Sequence, residues 1–124
     1  EICACLVGSE MCIRDRRNNS QLNYGVAICK YTGSRGKGGA SDASAEAMGH
    51  VRSTLDKAGV IWQIATLGKV DQGGGGTVAA YMANRNIVTV DAGVPVLSMH
   101  APLELVSKLD CYETMLACKA IYLA

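Results

Sequence analysis

Along the chain the apolar positions change their period several times, and each change marks an element. Over residues 24–31, Val26 and Ile28 alternate with smaller residues, the two-residue repeat of a strand. Residues 32–40 are rich in glycine and carry basic side chains, so they read as a loop. Met48, Val51, Leu55 and Ala58 then recur at helical spacing and predict one buried face. Ser41 is the expected cap of that helix, with Asp42 near its positive end and Gly59 as its stop. Arg52 and Asp56 predict an i,i+4 pair on the helix's other side. Residues 60–67 predict a second strand, with Ile61, Gln63 and Ala65 on one face and Trp62, Ile64 and Thr66 on the other. The run Gly73-Gly74-Gly75-Gly76 suits neither a strand nor a helix interior. A short helix is expected over 77–84 and a third strand over 87–97, its end made irregular by Gly93 and Pro95. Pro102 suits the first turn of a last helix, with a mostly apolar stripe of Leu105, Val106, Leu109, Tyr112, Leu116, Lys119, Ala120 and Leu123. Strands alternating with helices predict an α/β fold, part of a three-layer α/β/α sandwich.

Composition narrows the classes of function. A chain of 124 residues fits one domain. Twelve Lys and Arg against eleven Asp and Glu give a formal charge of +1, which offers no general attraction for nucleic acid or an anionic membrane. No apolar run approaches the ~20 residues of a spanning helix. With no Phe and one Trp, the core must be aliphatic. Of six cysteines, Cys3, Cys5 and Cys12 fall in the first segment, leaving Cys29, Cys111 and Cys118 without a CxxC pair. That is neither a disulfide framework nor a zinc-finger spacing, and it points to a reducing, cytoplasmic setting.

The candidate chemistry centres on His100, one of two histidines, at the carboxyl end of the third strand. Ligands and catalytic groups of α/β proteins gather at such strand ends, and a neutral imidazole is a natural metal ligand or proton carrier. The plainer alternative is a hydrogen-bonded structural histidine. Asp91 and Glu104 are nearby carboxylates; Glu104 either favours the positive end of the last helix or orients His100. The glycine run leads into a helix, where exposed N–H groups can receive an anion, so Gly75, Gly76 and Thr77 are candidate substrate contacts. It is not a phosphate loop of the GxxxxGK[ST] type. Gly33-Ser34-Arg35-Gly36 has the GXXG form of a KH nucleic-acid clamp, but there the loop joins two helices, and here a strand precedes it. Arg35 and Lys37 can instead pair with an acidic side chain or a peptide carboxylate. His50, in a helix near Arg52 and Ser53, reads as a surface or a satisfied structural histidine.

Several strings point further. Ser98-Met99-His100-Ala101-Pro102-Leu103-Glu104 resembles the segment that carries the last zinc ligand in aspartyl aminopeptidases, members of a wider family of cytosolic dizinc aminopeptidases. The strings over residues 30–37, 68–77 and 90–97 resemble the bacterial and clostridial branch, in the family's order from about Asn19 onward. The resemblance implies a zinc-peptidase-like catalytic domain that removes N-terminal residues from peptides, using two zinc ions, within a large homo-oligomer. It implies that His100 binds one zinc, with Met99 beside it and the 35–37 loop near the substrate. The other ligands and the glutamate general base lie upstream in family members, and nothing in this chain matches them. A rival of another class is a non-catalytic α/β module binding anions or nucleotides through its glycine loops, which would need no metal.

Residues 6–16 back-translate, in all but the final base, into a transposase adapter used in sequencing libraries. Residues 1–16 are therefore expected to be a non-native, irregular segment. Residues 17–124 are expected to be the C-terminal part of a metallo-aminopeptidase domain that is inactive alone.

Overall fold

The computed structural model describes residues 5–7, 20–34, 38–65, 78–98 and 101–124. The elements run β1 (Cys5–Val7), β2 (Val26–Cys29), β3 (Tyr31–Ser34), β4 (Gly38–Asp42), α1 (Ala45–Ala58), β5 (Trp62–Ala65), α2 (Val78–Ala83), β6 (Asp91–Gly93), β7 (Pro95–Leu97), β8 (Leu105–Val106) and α3 (Lys108–Tyr122). This is the expected mixed α/β order, with differences that matter for the site.

A central sheet has the order β5-β2-β6. β5 runs parallel to β2 and β6 antiparallel. β2 is buried along its whole length, as a strand covered on both faces must be. On one face Val26 and Ile28 join Met48, Leu55, Val60 and Ala117 in the main core, beneath α1 and α3. On the other, Ala27, Cys29 and Ala65 form a small-residue cluster. Trp62 packs on the main core and Ala65 on the opposite cluster, so the alternation expected along β5 is met at those two positions.

Helix α1 buries Met48 and Leu55 and half-buries Val51, but Ala58 is exposed. Its cap is Ser44, whose Oγ accepts from the Ala47 N–H, and not Ser41, which pairs with Thr32 in β4. Asp42 also stays in the strand and forms an exposed ion pair with Lys30. Gly59 stops the helix in the left-handed region, φ 68°. The expected Arg52–Asp56 pair is replaced by a three-part contact. Trp62 Nε1–H donates to Asp56 Oδ1 at 2.8 Å, and the Arg52 guanidinium lies 5.3 Å from the indole centroid.

Other expectations are corrected as well. The loop expected over 32–40 is strand on both sides of residues 35–37: β3 and β4 pair as a hairpin with an irregularity between Thr32 and Ser34. The third strand covers only 91–97 and breaks at Val94 into β6 and β7. The last helix begins at Lys108 under the Ser107 cap, not at Pro102, because Leu105 and Val106 are drawn into a ladder with Leu97 and Val96. Its buried face accordingly holds Asp110 and Ala117, while Leu109, Tyr112 and Leu123 face outward. Within the first sixteen residues, expected to be irregular, Cys5–Val7 pairs in parallel with β7.

Helix α3 is tied to the sheet by two carboxylates one turn apart. Asp110, 1% exposed, accepts from the N–H groups of Asn23 at 2.8 Å and Gly25 at 2.9 Å. Glu113 accepts from the Ile61 N–H at 2.9 Å. Both therefore hold segments that enter adjacent parallel strands. Gly25 is required here: its φ is +83°, and a Cβ would lie 2.0 Å from the Ile61 carbonyl oxygen. Replacing Asp110 with Ala strips two N–H groups of their acceptor, and each orphaned group costs roughly 1–3 kcal/mol. Urea unfolding should show a loss on the order of 3 kcal/mol, with Asp110→Asn, which keeps one acceptor oxygen, falling between. An unchanged midpoint for Asp110→Ala would remove this carboxylate from the account of stability.

Candidate functional site

The chain passes from the central sheet to a second one through a short bend. Gly93, Val94 and Pro95 are all buried there. Pro95 opens β7, where its lack of an N–H is tolerated at a strand start. β7 lies between β1 and β8. Beyond Leu97 the chain turns sharply: Ser98 has φ 61°, and its carbonyl accepts from the Ala101 N–H at 3.0 Å. Residues 101–104 are exposed, and the chain then returns as β8 beside β7. Glu104 lies in this exposed stretch before β8, not in the first turn of α3, so its expected role at the helix end does not hold.

The return strand is held from below. Ser107 follows β8 directly; its Oγ accepts from the Leu109 N–H and donates to Asn23 Oδ1 at 2.5 Å. With Asp110 it anchors the start of α3 to the turn that leads into β2. The segment between β7 and α3 is thus fixed at both ends, by a ladder and by a buried carboxylate.

The other two candidate segments spring from the central sheet. Cys29, Ala65 and Asp91 are register partners in one row across β2, β5 and β6. From that edge β2 continues into the hairpin and β5 into residues 66–77. Ser34 and Gly38 face each other across the hairpin, so the strands on either side of residues 35–37 in sequence are paired. A connection between two helices, which the KH reading needs, is not what stands here. β6 runs antiparallel to β2 and leaves the shared edge. β6, which precedes β7 in the run toward His100, therefore points away from the carboxyl ends of β2 and β5.

Arg35, Lys37, Gly75, Gly76, Thr77, Met99 and His100 themselves lie outside the described residues. What is described is their flanks: β3 and β4, a two-stranded sheet, beside the basic segment; β5 of the central sheet before the glycine segment; and β7 of the third sheet before the histidine segment. Among the described residues no three His, Cys, Asp or Glu come together as a metal site. A zinc centre is therefore not supplied by those residues, and one imidazole cannot hold a pair of ions. The described histidine, His50, is exposed on α1 and lines an open groove of about 510 Å³ with Lys57, Ala120 and Leu123. A second cleft of about 270 Å³ lies between Ser44 and Asn86. Neither contains a candidate site residue.

Sequence reasoning missed Ser98 and Asp110. For Asp110 a signal was present: Ser107-Lys108-Leu109-Asp110 has the [ST]-x-x-[DE] form that marks a helix start. Its carboxylate nevertheless reaches to a distant turn. For Ser98 no signal existed, since serine carries no preference for a positive φ.

The sequence profile of the aminopeptidase I zinc metalloprotease (M18) family matches residues 12–122. A protein of Borreliella burgdorferi named M18 family aminopeptidase 1 is 48% identical over 122 residues, covering 98% of this chain and 27% of its own length. The crystal structure of an M18-family aminopeptidase from Thermotoga maritima matches with a TM-score of 0.87 at 47% identity, over 98% of this chain and 27% of that one. Aminopeptidase I from Clostridium acetobutylicum matches with a TM-score of 0.79 at 49% identity, over 86% and 23%. The chain thus spans about a quarter of the length of these relatives.

Proposed function

The chain belongs to the aminopeptidase I zinc metalloprotease (M18) family, and we propose that it is the C-terminal part of a dizinc aminopeptidase that releases N-terminal residues from peptides. The observation that carries this reading is the 48% identity sustained over 122 residues with an M18 aminopeptidase. His100 is proposed as a ligand of one zinc ion. The string Ser98-Met99-His100-Ala101-Pro102-Leu103-Glu104 supports that role. Zinc, when bound, polarises the scissile carbonyl and activates a water. Gly75, Gly76, Thr77 and Met99 are proposed substrate contacts, and Arg35 and Lys37 the groups that meet an acidic side chain or carboxylate. The remaining ligands and the general base come from a preceding part of the protein, so the 124-residue chain is inactive alone.

A homo-oligomeric parent is part of the proposal. Leu109, Tyr112, Met115 and Tyr122 stand exposed on α3, and apolar surface in that quantity is covered in a finished assembly. A cytoplasmic location is part of the same proposal; Cys111 and Cys118 are exposed thiols on α3. Among the described residues no helix is long and apolar enough to cross a membrane.

The proposed adapter origin for residues 1–16 rests on a back-translation of residues 6–16. Two observations pull the other way: the Borreliella alignment covers 98% of the chain, and Cys5–Val7 pairs with β7. Raw sequencing reads decide between them. Adapter origin predicts that genomic coverage breaks between Arg16 and Arg17, and unbroken coverage ends that proposal.

In the full-length protein, His100→Ala should lower bound zinc by about one ion per subunit and abolish turnover, with circular dichroism unchanged. Full metal content with wild-type turnover would return His100 to a structural role. Arg35→Ala or Lys37→Ala should lower kcat/KM for N-terminal Asp or Glu by roughly ten- to a hundredfold, the range of a lost charge-assisted hydrogen bond. Equal losses on acidic and neutral substrates would leave the hairpin a structural role only.

A further inference from the structure

Helix α3 turns both of its carboxylates inward: Asp110 and Glu113 accept backbone N–H groups of the segments entering the sheet. Its opposite face is exposed and recurs in steps of four and three residues: Lys108, Tyr112, Met115, Lys119 and Tyr122. That spacing keeps a stripe on one side of a helix, the form in which helices meet one another. Tyr112 is 57%, Met115 50% and Tyr122 89% exposed. The stripe therefore offers two lysines, two aromatic rings and a thioether, and no carboxylate.

The stripe is nearly self-complementary about Met115. Lys108 and Tyr122 stand seven residues to either side of it; Tyr112 lies three before and Lys119 four after. Laid in reverse against a second copy, Met115 meets its own counterpart. Lys108 then meets Tyr122, and Lys119 meets Tyr112, at both ends of the contact. An ammonium group against an aromatic face is attractive. Pairing in the same direction would instead set Lys108 on Lys108 and Lys119 on Lys119, and such like-charge contacts are unfavourable. Contact of one patch with its own copy is the isologous arrangement of a twofold dimer.

We infer that the outward face of α3 is a surface on which two copies of the parent protein meet, antiparallel across a twofold axis at Met115. This names a contact within the homo-oligomer proposed above and rests on that reading. The occupant is a second copy because a neighbouring segment of the same chain has no reason to match the stripe end for end. Cys111 and Cys118, exposed along one flank of the stripe, come beside each other across the same axis.

The test compares the full-length protein that carries this chain with two variants, by sedimentation over a range of concentrations, alongside circular dichroism and thermal unfolding. Tyr112→Lys sets two cations against each other wherever Tyr112 meets Lys119. The subunit concentration at half-assembly should rise roughly tenfold or more, the effect of a like-charge contact in an interface, with the dichroism intact. Adding Lys119→Glu to Tyr112→Lys should return assembly to the range of the unsubstituted protein, because each contact is then of opposite charge. Positions 112 and 119 lie about two turns apart on one helix, so this rescue has to come from the second copy. Unchanged assembly in Tyr112→Lys overturns the inference, and so does a double variant that assembles no better than the single one. A lower unfolding temperature with unchanged assembly assigns the face to another part of the same chain and overturns it as well. If the unsubstituted protein sediments as a single subunit at every concentration, the homo-oligomer reading fails and takes this surface with it. If all three proteins form the same oligomer, only this surface fails.

Discussion

Asp110 is an acidic side chain with almost no access to water, and much of the architecture converges on its two oxygens. Burying a carboxylate is unfavourable unless its hydrogen bonds are met. Here the turn that starts the central strand meets them, through the N–H groups of Asn23 and Gly25. The bond is therefore long-range in sequence: the beginning of β2 is completed by a residue 85 positions later. Glu113 repeats the device one turn on, against the start of β5. Helix α3 is held not only by its aliphatic side chains but by polar hooks that fix its rotation and its height above the sheet.

This anchoring explains why so short a strand as β8 can exist. Two residues of ladder are weak alone. They are flanked by a capped helix start on one side and a closed turn on the other. The bend at Val94 completes the arrangement by carrying one continuous run of chain out of the central sheet and into the second. Proline at the start of β7 and glycine at the end of β6 mark the two sides of that bend.

The parts legible from sequence are those governed by local rules. The α1 face of Met48 and Leu55 followed from helical spacing, and Gly59 from the need for a left-handed stop. The two faces of β5 followed, at Trp62 and Ala65, from alternation. The parts that were missed depend on partners far away. Pro102 is a good helix opener, yet Leu105 and Val106 gain more by pairing with Val96 and Leu97, so the helix starts later. The glycine-rich hairpin looked like a loop because neither strand has an apolar face to announce it. Asp56 was assigned to Arg52 by spacing alone, whereas the indole of Trp62 offered a donor in a better place. For the site, the strings around His100 make it a candidate, while no rule of periodicity singles out the positive φ of Ser98.

The contact among Trp62, Asp56 and Arg52 has a practical consequence. The chain has a single tryptophan, and its indole N–H is held by a carboxylate of α1 while a guanidinium lies over its ring. Both neighbours are charged and both belong to the same helix. The emission of this one fluorophore therefore registers whether α1 is docked on β5, with no label attached and no other indole to mask it. Folding of the helical layer has its own optical signature, readable separately from whatever happens beyond β7.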